Sequence, residues 1–93
     1  MLTSLSLACN SLSAIDIFPL KHLTYLHLGW NRLTSFQLHK HTALTTLYLN
    51  DNHLYKLDLG HNSSLKILFI SDSPQLKYVN YLPDSLEWLS ADR

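Results

Sequence analysis

The chain has 93 residues, 46% of them hydrophobic, which sizes it as one small folded domain. Seven basic residues balance seven acidic ones with no run of either sign, so nothing draws the chain to a phosphate backbone or anionic lipid, and nucleic acid is not an expected partner. No apolar run approaches the roughly 20 residues that cross a bilayer, the first residues lack the basic and apolar blocks of a secretion signal, and the single cysteine, Cys9, excludes an intramolecular disulfide and a cysteine-based zinc site.

In chain order, residues 2–22 set a pattern that the following residues repeat at a shift of 21. Leu2, Leu5 and Leu7 are followed by Asn10 and Leu12, then by the apolar pair Ile15 and Ile17. Residues 23–43 give Leu23, Leu26, Leu28, Asn31 and Leu33, then Phe36 and Leu38, and residues 44–64 give Leu44, Leu47, Leu49, Asn52 and Leu54, then Leu57 and Leu59. In residues 65–85 the later apolar positions, Leu76, Val79 and Tyr81, come one residue late, because "DSPQ" carries one extra residue and "LPDS" returns one short. Leu86 and Leu89 open a fifth, partial unit over 86–93. Two columns contain only leucine (2, 23, 44, 65, 86 and 5, 26, 47, 68, 89). With 22 leucines in the chain, each column has a chance likelihood of roughly one in a thousand.

Within each unit two periods coexist. In "LTYLHLG", Leu26 and Leu28 alternate with Tyr25, His27 and Gly29, as a strand buried on one face requires. A unit of 21 residues leaves no room for a typical helix of about 11 or 12 residues on its way back, so the return is expected to be extended or a short 3₁₀ turn. Strands of successive units then stack in parallel about 4.8 Å apart over a shared leucine interior, which is a solenoid. Asn10, Asn31 and Asn52 fall where the chain turns inside the coil, and their amides can serve backbone groups that lack a ladder partner. A ladder of these amides is expected, with Ser73 as a weaker rung.

The units "LTSLSLACNSL", "LTYLHLGWNRL", "LTTLYLNDNHL" and "LKILFISDSPQL", with "LEWLSADR" cut short, resemble the leucine-rich repeat family over residues 2 to 92. Their length resembles the short internalin-like repeats of bacterial surface and secreted proteins, and "LPDSLEWLSA" resembles one unit of the LPxSLxxLxA repeats of type III effectors. The resemblance implies a right-handed α/β-type repeat solenoid dominated by β structure, with one parallel β-sheet on the concave face and extended or 3₁₀ convex segments. It also implies a secreted or cell-surface setting and binding of a protein or peptide, or a glycan, on the concave sheet. Two other roles stay open: structural spacer repeats of a larger surface protein, and substrate recognition in an effector ubiquitin ligase. A solenoid normally ends in polar or disulfide-bonded caps and none is visible, so the chain is expected to be a piece of a longer array or to stack end to end with other chains.

The outward strand positions carry large apolar groups that a solvated face does not need. The expected ligand-binding residues are Tyr25, His27, Tyr48, Ile67, Phe69 and Trp88, with Trp30 and Asp51 at the strand ends. The same rings could instead staple neighbouring strands. Trp30 falls in a column with Cys9, Asp51 and Asp72, outside the leucine ladder, so it is expected to be displayed rather than enclosed. Of the six histidines, His39, His41 and His61 are expected near one another, but no carboxylate of that turn completes a set and no metal is expected; His22, His27 and His53 are scattered. Cys9 and His27 lack an orienting carboxylate and an oxyanion device, so no enzymatic activity and no cofactor is expected. The sequon at Asn62-Ser63-Ser64 is expected to be incidental.

Overall fold

The structure is a computed structural model and describes residues 1–91. Asp92, which the periodicity assigns to an outward column, lies outside the described residues. Five short strands, β1 (Ser4–Ser6), β2 (Tyr25–His27), β3 (Thr46–Tyr48), β5 (Ile67–Phe69) and β7 (Trp88–Ser90), form one parallel sheet in the order β1-β2-β3-β5-β7. Their register pairs Leu5 with Leu26, Leu26 with Leu47, Leu47 with Leu68 and Leu68 with Leu89, a step of 21 residues every time. The ladder runs on past the strands, since the Leu7, Leu28, Leu49 and Ile70 amides donate to His27, Tyr48, Phe69 and Ser90 at 2.8–2.9 Å.

Alternation decides which face is buried. The central leucines Leu26, Leu47 and Leu68 are wholly enclosed, while their strand neighbours are half exposed. Each enclosed leucine contributes about 1.5–3 kcal/mol, and columns of them make a core continuous along the stack. The return path is extended, with no helix among the described residues. Beyond the expected concave sheet, β4 (Lys56–Asp58) and β6 (Tyr78–Asn80) pair in parallel on the convex side with a step of 22 residues. The extra residue of "DSPQ" is therefore absorbed between β5 and β6, and the step of 21 is restored by β7. Tyr81 departs from the expected pattern. It does not continue the apolar pair but is 72% exposed with a left-handed backbone, φ 62°, which turns its ring out over Gly60.

Asn31 and Asn52 form the expected ladder. The Asn31 amide donates to Leu7 O of the preceding coil and to Leu28 O of its own, both at 3.0 Å, while its Oδ1 accepts the Asn10 and Leu12 amides. Asn52 repeats this one rung on, donating to Leu28 O and Leu49 O and accepting the Leu33 amide. Asn10 corrects the expectation in part: its Nδ2 reaches Leu7 O and Ala8 O, within its own coil, but it is exposed. Ser73 is buried, and its hydroxyl donates a long bond, 3.5 Å, to Ser71 O.

A second polar ladder, at the turn before each concave strand, is absent from the sequence expectations. Buried Asn62 donates to Leu38 O at 3.1 Å and to His41 O at 3.0 Å. Buried His41 meets Ile17 O through Nε2 at 2.9 Å. Its span of 24 residues is the one Asn31, Asn52 and Asn62 use to reach the preceding coil. His41 thus stands in for an asparagine, with the proton on Nε2 because a carbonyl can only accept.

Candidate functional site

The outward positions of the large sheet fall on consecutive rungs, and the rings there pack along the stack. His27 lies on Tyr48 with centroids 4.6 Å apart and planes 24° apart; Tyr48 lies on Phe69 at 4.6 Å and 6°. Tyr25 leans on Tyr48 at 5.9 Å and Phe69 meets Trp88 at 6.4 Å. A spacing so close to the strand repeat means that the ring planes stand across the stacking axis. The faces cover each other and the edges look outward. Stapling and display therefore coexist in the same side chains, each ring pair contributing about 0.5–1.5 kcal/mol beyond its buried area.

His27 is held in one orientation. The Gly29 amide donates to its Nδ1 at 3.1 Å, which puts the proton of the neutral ring on Nε2, and burial lowers its basicity below the ordinary value of 6.5. Glycine is needed beneath it, because a Cβ at Gly29 would lie 2.8 Å from His27 Cε1 and 2.8 Å from Asn50 Oδ1. Gly29 is consequently buried although its column faces outward, because the His27 and Asn50 side chains cover it.

Beyond β1, β2, β3 and β5 the chain turns through a left-handed residue in one column: Cys9, Trp30, Asp51 and Asp72 have φ of 63°, 55°, 59° and 56°, and Ser11 is a second such residue in the first coil, at 55°. The turn keeps the coils in register, since the amides of Cys9, Trp30 and Asp51 donate to the carbonyls of Gly29, Asn50 and Ser71 at 2.9–3.0 Å. Aspartate tolerates this conformation, whereas a bulky residue there costs about 1 kcal/mol. Trp30 is 54% exposed, and Trp88, at the far edge of the ring row, is 57% exposed. Asp51 is half-buried and its Oδ2 accepts the Asn50 amide at 3.2 Å; Ile67 is half-buried in the column of Tyr25 and Trp88.

The convex side carries a smaller aromatic row. Phe18 and His39 lie 5.6 Å apart and His39 and His61 6.5 Å apart, edge on. His41 is not with them, because its ring is turned inward to Ile17 O. A carboxylate does share that region: a cleft of about 230 Å³ is lined by Phe36, His39, Lys56, Asp58 and His61 among others. Among the described residues no group of three His, Cys, Asp or Glu side chains is placed to hold a metal.

Sequence reasoning missed His41 and Asn62. The signal was available at the same shift of 21, where Leu20, His41 and Asn62 share one column.

Comparisons agree with this architecture. The signature described as "Leucine rich repeat" matches residues 1–54. Among solved structures, the chain is similar to the functional domain of InlJ from Listeria monocytogenes, described as including a cysteine ladder, with 26% identity and a TM-score of 0.87. The match covers 97% of this chain and 25% of that one, so the chain spans about a quarter of the length of its structural neighbour. No curated protein matches it. A 21-residue step, an internal asparagine ladder and a leucine-filled coil agree with both findings, and the chain belongs to the leucine-rich repeat family, with coils of the internalin-like kind.

Proposed function

We propose that the concave sheet is a binding surface for a protein or peptide, contacted through Tyr25, His27, Trp30, Tyr48, Asp51, Ile67, Phe69 and Trp88. The observation that carries this reading is the ring row from His27 to Trp88, stacked into one rigid strip and left uncovered on the sheet. Rigid aromatic groups lose little conformational entropy on binding and dominate interface energetics. Leucine-rich repeats are commonly used in this way, and nothing in the coil points to catalysis.

The test removes the centre of the strip. Tyr48→Ser with Phe69→Ser is expected to leave the leucine core and the β-sheet circular dichroism intact while lowering affinity for a selected ligand at least tenfold. Unchanged affinity with an unchanged fold refutes the reading. A spacer role is the second reading, favoured by the match to only a quarter of a longer neighbour, and it predicts that the same double substitution changes no binding at all.

A further inference from the structure

The charge on this face is one-sided. The outward positions of β1, β2, β3, β5 and β7, and the two residues that turn the chain after each of the first four, include no lysine or arginine. They do include Asp51 and Asp72, and neither carboxylate meets a cationic side chain among the described residues; the one partner of either is the Asn50 amide on Asp51. These two residues and Trp30 occupy successive rungs of one column, 21 residues apart and all left-handed, and the Trp30 and Asp51 amides donate to the Asn50 and Ser71 carbonyls of the next turn. One rung is about 4.8 Å, so an exposed indole and two carboxylates follow one another within about 10 Å along the edge of the ring strip.

An indole face and a carboxylate attract the same guest, a cation, and an aromatic strip beside them attracts apolar or planar groups. A guanidinium satisfies both demands: it is flat enough to lie on the indole and presents a fork of donors that can span two acceptors, whereas an ammonium offers a single, strongly hydrated charge. We infer that the ligand of the concave face is a basic peptide segment whose arginine stacks on Trp30 and pairs with Asp51 and Asp72, while its neighbouring apolar side chains cross the Tyr48–Phe69 strip. This rests on the proposed binding function and names the chemistry of its partner.

The experiment is a selection of random 12-residue peptides displayed on phage against the immobilised 93-residue chain, run in parallel on the Asp51→Asn/Asp72→Asn and Tyr48→Ser/Phe69→Ser variants. Asparagine suits the left-handed turn as aspartate does, so the first pair removes charge and leaves the backbone unstrained. On the parent chain the selected peptides are expected to be rich in arginine beside aromatic or aliphatic residues. Synthetic copies with arginine replaced by glutamine should bind about tenfold more weakly, and copies with lysine about threefold more weakly. Against Asp51→Asn/Asp72→Asn the arginine-to-glutamine difference should fall below twofold. Peptides without arginine enrichment, a difference that persists on the charge variant, or preferential binding of a neutral glycan on an array overturn the inference. In each of those cases, loss of binding to Tyr48→Ser/Phe69→Ser leaves the proposed surface standing. Peptides that bind that variant unchanged, or a selection that yields none, overturn both.

Discussion

Replacing Asn52 by alanine tests the internal ladder at its most deeply buried asparagine. The substitution strands two enclosed backbone groups, Leu49 O, at 3.1 Å from the amide, and the Leu33 amide, at 2.9 Å from Oδ1, and takes one of two amide donors from Leu28 O, which keeps the Asn31 amide at 3.0 Å. Each buried group left without a partner costs about 1–3 kcal/mol, and even at the low end the total is about 2 kcal/mol. A chain of this length has about 5–14 kcal/mol of stability in all, so a large part of it disappears. Asn10→Ala is the internal control. Its amide makes the same kind of bonds to Leu7 O and Ala8 O, but in the open, where water can replace it, and the cost should stay within about 0.5 kcal/mol. Urea unfolding followed by far-UV circular dichroism gives both differences on one scale. If Asn52→Ala falls within 1 kcal/mol of Asn10→Ala, the amides are not what holds the turn, and the leucine columns alone must do so.

Three further outcomes are expected. His41→Asn should unfold within about 1 kcal/mol of the parent, because Asn62 already fills the corresponding place one coil on, whereas His41→Ala removes the link between coils at Ile17 O, which keeps only the Leu20 amide, and empties the space of a buried ring, and should cost about 1–3 kcal/mol in the same urea assay. Trp30→Gly should raise stability by about 0.5–1 kcal/mol, since glycine adopts φ near 55° without penalty, and it should weaken ligand binding at the same time; a loss of stability would mean that the indole packs into the coil. For His27, burial lowers the folded pKa below 6.5, so the neutral ring is the favoured form and its stabilisation is complete above that pH and lost as the pH falls through 6.5 toward the folded value. Proton NMR titration of the His27 ring should give a midpoint below 6.5, and protonation should break the Gly29 bond and open the contact with Tyr48; a midpoint at or above 6.5 refutes this.

The leucine columns made the coil, its step and its parallel sheet legible, because an all-or-none burial pattern leaves its period in the sequence. The same periodicity located the single extra residue between β5 and β6. It failed for Tyr81, where the position in the repeat suggests an interior residue and a left-handed turn sends the ring outward. For His41 and Asn62 the shift of 21 marks a shared column, but a histidine and an asparagine have no hydropathy signal in common, and only the structure shows that both reach back 24 residues to a carbonyl. The concave residues were placed correctly on the sheet. Their mutual stacking was not foreseeable, since alternation says which way a ring points and nothing about how its plane is turned.

Among the described residues the ladder hydrogen bonds between coils run along the direction in which the coils are stacked, and β1 and β7 are the opposite edges of the large sheet. A pull applied to the two ends therefore meets the interfaces as zippers, with bonds parting in succession, and not as sheets sheared all at once. Each coil that peels away converts one rung of about 4.8 Å into roughly 70 Å of extended chain. Under tension the molecule is a stepwise extender, giving up length in 21-residue instalments while the remaining coils keep their shape.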